Sequence, residues 1–457
     1  EWDRLAYNIL FVCFLITTSV GALTGVGIWL SASLVNAAAI GSLIRVFFLA
    51  WFTEWVVFLI EVSLILLYFL TWKSWTGHRK RWHIATGAVL SLASWLAIKK
   101  RSRRGLLWLS VFSLIYFGFY RDGCICSIGA VQNVALSLFD SAYAISLTAL
   151  LFFLLPLLFA LFFGRVFCAS ACPLGAIQDL LVIHPVSVPS WIRKTLGFIP
   201  IIYLSLSVLL AATGSDFIIC RYDPFVGIFR MDGPFLMIFL GITFLFLGMF
   251  YARPYCRIFC PYGVLLGWMS RFSRRHLSIT PSECIKCKLC EDSCPFDAID
   301  IPVDPSYRTP EVSRKNLRKF ILYIALIPIL TVLGGWIGAK SHIYLSRVHN
   351  DVYLAELMIS QPELREDEEN LDIQAFLESG DTFEELVEKA AVIRERFRTG
   401  SMLMGGFVGL ALGITLMNQV VFRRREDYEP HRGDCFSCGR CMDYCPVEHH
   451  GTNEKNE

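Results

Sequence analysis

Charge is scarce in this chain. Only 18% of its 457 residues are Asp, Glu, Lys or Arg, against roughly 25% in an average soluble domain. The two signs nearly cancel: 42 Lys and Arg stand against 39 Asp and Glu, leaving +3. That is too little to attract nucleic acid, and the basic residues sit in short clusters between apolar runs. The chain has no G-x-G-x-x-G, no Walker A sequence and no C-x-x-C-H. Those absences remove the usual dinucleotide, nucleoside-triphosphate and c-type haem sites. No acid–base constellation or cleavable signal is legible. What fills the chain instead is hydrophobic residues, at 55%, and 16 Cys.

The apolar residues gather in runs near 7–30, 43–71, 84–98, 105–120, 141–163, 196–213, 234–252, 318–338 and 401–422. A helix needs about 20 apolar residues to cross a bilayer, so these predict eight or nine transmembrane helices, with 84–98 the short one. Lys99, Lys100, Arg101, Arg103 and Arg104 mark a cytoplasmic loop by the positive-inside bias. Alternation then puts 121–140, 214–233 and 339–400 outside, and 164–195, 253–317 and the tail from 423 inside. Arg271, Arg274, Arg275, Arg314, Lys315 and Arg423 to Arg425 agree with that order; Arg79, Lys80 and Arg81 conflict with it if 84–98 spans. The outer stretch Gln361 to Gly400 has 12 acidic and 5 basic residues. Phe383, Leu386, Val387, Ala390, Ala391 and Ile393 are spaced as one apolar helix face there. This predicts either a solvated helical hairpin or a docking surface for a partner.

Cys284, Cys287, Cys290 and Cys294 precede Pro295, and Cys435, Cys438, Cys441 and Cys445 precede Pro446. Both read C-x2-C-x2-C-x3-C-P, the bacterial run for a [4Fe–4S] cluster. Two-residue gaps let three soft thiolates converge on one cluster from a single loop, while the Pro turns the fourth Cys elsewhere. Structural zinc uses two separated C-x2-C knuckles instead. The spacing therefore predicts two [4Fe–4S] clusters that swap fourth ligands: Cys284, Cys287 and Cys290 with Cys445, and Cys435, Cys438 and Cys441 with Cys294. Two apolar runs lie between the quartets, so both face the same side, expected to be the reducing cytoplasm.

Cys168-x3-Cys172-Pro173 and Cys256-x3-Cys260-Pro261 each follow an apolar run on that same side. Cys126-Ser-Ile-Gly-Ala-Val-Gln-Asn133 echoes Cys172-Pro-Leu-Gly-Ala-Ile-Gln-Asp179, with Cys260-Pro-Tyr-Gly-Val264 a weaker copy. One span separates the first two copies, as in an inverted repeat. The four inward Cys suit a cluster, another metal site or a redox dithiol; packed apolar Cys is the plain alternative. The outward Cys124, Cys126 and Cys220 are open to a redox centre completed by Asp122 or Asp223, to a thiol or disulfide pair, or to packing. One or two further iron–sulfur clusters are thus expected at the membrane-face Cys. Glu54 and Glu61, seven residues apart in an apolar run, mark a quinone or proton site by the cost of carboxylates at membrane depth, unless neighbouring helices satisfy them.

From about residue 100 to its end the chain resembles the NosR/NapH/CcoG-type membrane polyferredoxins. The resemblance rests on Gly164-Arg165-Val166-Phe167-Cys168, Arg253-Pro254-Tyr255-Cys256, the C-x3-C-P pairs and the two quartets. It implies transmembrane electron transfer from quinol or a cytoplasmic donor to a periplasmic reductase system, in a bacterial inner membrane. Nothing here resembles the flavin domain of NosR. Residues 25–98 faintly resemble subunit I of cytochrome bd-type quinol oxidases. The expected architecture is an all-α polytopic membrane protein with a small cytoplasmic α+β module of bacterial-ferredoxin type. Its segments are 1–98 (helices with the two Glu), 99–275 (membrane core), 276–317 (first quartet), 318–338 (span), 339–400 (acidic insert), 401–422 (span) and 423–457 (second quartet and tail). The expected function is an iron–sulfur electron-transfer subunit of an oxidoreductase complex, working with membrane or periplasmic redox partners and with quinone. A maturation factor that reduces a partner's metal, and a redox-sensing regulator, are the alternatives.

Overall fold

The computed structural model describes residues 87–447 apart from 121–122, 124–126, 184, 187, 280–283, 303–309, 363–370, 380–381 and 419–426. The chain divides into two compact units, 1–85 and 86–457. Glu54, Glu61, Asp122, Cys124 and Cys126 lie outside the described residues.

Among the described residues three helices are long and apolar enough to span a membrane: Trp191–Ala212, Leu317–Val348 and Phe383–Asn418. Pro224–Arg230 and Phe235–Phe250 make a fourth if counted as one span bent by 100°. The expected spans at 84–98 and 141–163 are the shorter helices Gly87–Lys99 and Leu147–Phe163. The run 105–120 becomes Arg103–Ser113 continued by a π-helical stretch, Leu114–Phe119. Gly164, at φ 74°, stops Leu147–Phe163 immediately before the first Cys motif, because only a residue without Cβ adopts that conformation freely. Around the Cys loops these helices pack into one core that includes Phe117, Phe167, Leu204, Phe225, Tyr255 and Tyr262.

Two 36-residue helices, Pro310–Leu345 and Phe383–Asn418, form a close hairpin. Small residues line its seam. A Cβ on Gly405 would lie 2.1 Å from the carbonyl oxygen of Gly334, and one on Gly338 would lie 2.0 Å from that of Ser401. In lipid, where apolar side chains gain little by leaving their solvent, such backbone-to-backbone approach is what holds helices together. At the tip, Asn350–Ser360 and Leu371–Ser379 pack on the start of Phe383–Asn418. They share a core of Val352, Leu354, Met358, Ile373, Leu386 and Ala390. Phe383 and Ile393 pack against that core, whereas Ala391 is exposed. Glu356 pairs with both Arg347 and Arg394, at 2.8 and 2.7 Å.

At the other end the hairpin returns the chain to the first quartet. Strand β1, Ile299–Asp300, pairs antiparallel with β2, Glu429–Pro430, in the register Ile299↔Pro430. This short ladder, with the turns Leu289–Asp292 and Arg440–Asp443, joins two segments about 150 residues apart in sequence.

Candidate iron–sulfur sites

The two quartets have the same backbone. In each, the residues on either side of the second Cys have positive φ: Lys286 (53°) and Lys288 (64°) in the first, Ser437 (53°) and Gly439 (76°) in the second. Alternating left- and right-handed residues turn successive N–H groups to one side of the loop, the concave arrangement common around iron–sulfur clusters. Because β1 and β2 pair, the quartets interleave. Cys445 lines one cavity with Cys284, Cys287 and Cys290, floored by Ile279 and Tyr428. Cys294 instead lies within electrostatic reach of Cys438 and Cys435. Burial, then the nearby Cys284 and Cys287, pushes the Cys290 thiol up to about 11. Burial, then Cys438 and Cys294, pushes Cys435 up to about 12. Metal ligation takes such thiols as thiolates and releases their protons.

The second site lies inside the membrane unit. Cys168, on the π-helical turn Phe167–Ala171, and Cys172 meet Cys256 and Cys260 around one enclosed cavity, closed further by Arg165 and Tyr262. Both C-x3-C-P motifs follow one plan. The Pro is the first residue of a helix, Pro173–Leu180 or Pro261–Arg271, where its missing N–H costs nothing. Two residues later comes a Gly pressed on the first Cys of its own motif. A Cβ on Gly175 would meet the Cys168 carbonyl oxygen at 3.0 Å, and one on Gly263 the Cys256 oxygen at 3.3 Å. Burial, then Cys256 and Cys168, drives the Cys172 thiol far up. Burial likewise takes Cys256 to about 11, although Arg253 pulls it down.

Residues given no role in the sequence reading frame this site. Gln178, fully buried, accepts from the Tyr255 N–H at 3.1 Å and donates to the Cys256 Sγ at 3.5 Å. Arg253, also fully buried and at φ 53°, donates to the Cys168 carbonyl and pairs with Asp179 at 3.5 Å. Arg165 donates to the Gly263 and Gly433 carbonyls. Both guanidinium groups lie over the ring of Phe436, at 4.3 Å for Arg165 and 5.4 Å for Arg253. Phe436 in turn packs on Phe296 at 4.8 Å. An Arg three residues before the first Cys of each C-x3-C-P motif is the sequence signal that could have marked Arg165 and Arg253.

Among the described residues no group of three or more His, Cys, Asp or Glu is placed to hold a single metal ion. Four thiols spread around a cavity suit a cluster, whose irons hold the ligands further apart than one ion does. The Nε atoms of Arg165 and Arg253 are buried without partners, leaving donors beside the sulfur ligands. Both observations fit an iron–sulfur cluster. Of the residues expected to face outward, Cys220 is exposed and Asp223 buried.

A cavity of about 540 Å³ runs from Cys256 and Cys260 to the hairpin residues Phe407, Leu410 and Ile414. Lys194, Arg257 and Arg271 are among its polar lining.

The comparisons with known proteins agree with this geometry. A family described as a 4Fe–4S binding domain matches residues 145–198 and 233–280, the two C-x3-C-P segments. Two further 4Fe–4S binding domain families match residues 277–300 and 432–448. None of these family matches touches residues 25–98, so the likeness of that stretch to cytochrome bd gains no support from them. The chain is 30% identical over 193 residues to an uncharacterized protein of Methanocaldococcus jannaschii, covering 40% of this chain and 77% of that one. It is 29% identical over 226 residues to protein NirI of Paracoccus denitrificans, covering 43% and 32%. It is 26% identical over 220 residues to regulatory protein NosR of Stutzerimonas stutzeri, covering 44% and 29%. No solved structure matches the chain.

Proposed function

Because the chain belongs to the NosR/NapH-type family of membrane 4Fe–4S electron-transport proteins, we propose that it carries electrons between the swapped ferredoxin quartets and the four-cysteine site. From there they pass toward the opposite membrane face and a periplasmic partner. Cys284, Cys287, Cys290 and Cys445 hold one [4Fe–4S] cluster in this reading. Cys435, Cys438, Cys441 and Cys294 hold another, and Cys168, Cys172, Cys256 and Cys260 a third. Bound there, the clusters supply one-electron redox chemistry. The protein's own residues set distance and charge.

One observation carries the reading. Cys435, Cys438 and Cys294 pack against the same core that contains Cys168, Cys172 and Cys260 together with Phe296 and Phe436. Arg165 and Arg253 lie on that aromatic pair, where their charge offsets that of the thiolates on both sides. Asp179 and the surrounding Cys keep Arg253 protonated even though burial alone would weaken its hold on the proton. The quartets face the cytoplasm and the acidic insert the periplasm, as the distribution of Lys and Arg supports. The cavity beside Cys256 and Cys260 supports access for quinone from the bilayer, since its far wall is apolar and belongs to a candidate span.

Vesicles test this directly. Chain reconstituted in liposomes, with a membrane-impermeant reductant outside and an impermeant acceptor inside, should pass electrons inward. Cys172→Ser and Cys260→Ser should stop that flux while the ferredoxin-type electron paramagnetic resonance signals remain. Unchanged flux in both variants would refute the reading. The name carried by the NosR relative favours a redox-sensing regulator as a second reading, which predicts cluster oxidation without transmembrane flux.

A further inference from the structure

The four-cysteine site has a counterpart in the same unit, built to the same plan. At the four-cysteine site, fully buried Gln178 holds the ligand loop by accepting from the Tyr255 N–H at 3.1 Å, one residue before Cys256. Gln132, the same position of the repeated sequence, is also fully buried. It accepts from the Ile219 N–H at 3.1 Å, one residue before Cys220. The second loop is one residue shorter: Cys256-Arg257 corresponds to Cys220-Arg221, and Cys260-Pro261, which follows after three intervening residues, to Asp223-Pro224, which follows after two. Cys260 caps its helix through Sγ, which accepts from the Gly263 N–H at 3.3 Å. Asp223 caps Pro224–Arg230 through Oδ1, which accepts from the Phe225 N–H at 2.9 Å, and Pro224 again takes the first helical position.

We propose that Asp223 and Cys220 are ligands of a second membrane-embedded iron–sulfur centre, with Asp223 in the place of Cys260 and Cys220 in that of Cys256. This rests on the electron-carrier reading above and supplies its station beyond the four-cysteine site. Gln132 is a positioning residue, as Gln178 is at the four-cysteine site.

Two atoms call for a ligand there. Asp223 is 2% exposed, and its Oδ2 is buried with no hydrogen-bond partner among the described residues. The helix N-terminus offers the carboxylate the Phe225 and Val226 N–H groups, and Asn would serve as a cap equally well without carrying charge into the interior. The Nε2 of Gln132 is likewise buried without a partner. At the first site the matching Gln178 nitrogen donates to the Leu174 carbonyl and to the Cys256 sulfur. An unpartnered carboxylate oxygen and an unpartnered amide nitrogen at these two matched places suit a bound centre, the first as a ligand and the second as a donor to its sulfur. The two sites also touch: Phe225, two residues after Asp223, packs edge-on against Tyr255, the residue before Cys256, with ring centroids 5.2 Å apart.

Asp223→Asn is the deciding variant, because it keeps the cap and removes the charge. In the purified full-length chain it should lower iron and acid-labile sulfide by one centre, roughly two to four irons, and delete one paramagnetic signal. Cys220→Ser should do the same. Asp223→Cys should retain the centre with a changed spectrum, as a thiolate replaces a carboxylate. Unaltered ferredoxin-type signals report that each variant is folded. Wild-type iron and a full set of signals in Asp223→Asn would overturn the proposal. So would loss of the centre in Asp223→Cys in a folded chain. Cys172→Ser run in parallel separates the two claims. If it loses iron while Asp223→Asn does not, only this inference fails; if Cys172→Ser itself leaves iron unchanged, the four-cysteine reading has failed.

Discussion

Gly405→Ala should pry open the helical hairpin that returns the second quartet to the first. The alanine Cβ would lie 2.1 Å from the Gly334 carbonyl oxygen and 2.9 Å from its carbon. Carbon and oxygen approach comfortably only to about 3.3 Å, so the helices must part locally by about 1 Å. The neighbouring contacts have no slack, since the would-be Cβ atoms of Gly338 and Gly409 meet carbonyl oxygens at 2.0 and 2.1 Å. A gap of that size forfeits a quarter to a half of each dispersion contact along the seam. Overpacking of this kind costs about 1–3 kcal/mol, and Leu at the same position more. Gly406, one residue on, is the control. A Cβ there meets nothing closer than 3.7 Å, so Gly406→Ala should be neutral. The assay is thermal loss of iron–sulfur absorbance in detergent. Gly405→Ala should bleach at a lower temperature than wild type, while Gly406→Ala bleaches with it. Equal midpoints for all three proteins would refute the reasoning about the seam.

Other outcomes follow from the same contacts. Cys445→Ser should perturb the cluster signal that Cys287→Ser also perturbs, and Cys294→Ser the one that responds to Cys438→Ser; spectra grouping each quartet with its own fourth Cys would refute the swap. Arg253→Met leaves the Cys168 carbonyl without its buried donor. It also leaves Asp179 only Arg440 at 3.5 Å. Breaking a buried pair costs about 3–5 kcal/mol. Losing a cation beside the thiolates should also lower the reduction potential of the adjacent centre in a redox titration, an effect Arg253→Lys should largely spare. Deleting 361–396 should release a basic partner at low salt and leave the ferredoxin-type cluster signals unchanged; retained binding in a pull-down refutes the docking role.

The sequence by itself determined the chemistry. Ligand spacing within one loop is a covalent property, so C-x2-C-x2-C-x3-C-P announces an iron–sulfur cluster before any folding is considered. Long apolar runs announce a bilayer for the same local reason. Repetition of Cys126 to Asn133 in Cys172 to Asp179 was legible too. Tertiary structure decided what depends on long-range closure. Run length marked 84–98 as short but did not show that 141–163 holds only the helix Leu147–Phe163. The interleaving of the quartets depends on the pairing of β1 with β2 across the hairpin. Arg165 and Arg253 gained their place only when residues more than 150 positions apart met at Phe436. Asp223 is the clearest case. As a sequence it breaks the Cys pattern. Only the matching bonds from Gln132 to Ile219 and from Gln178 to Tyr255, with Pro224 and Pro261 both opening helices, set it against Cys260 in a loop one residue shorter, because a backbone hydrogen bond fixes the position of a loop whatever side chain the loop bears.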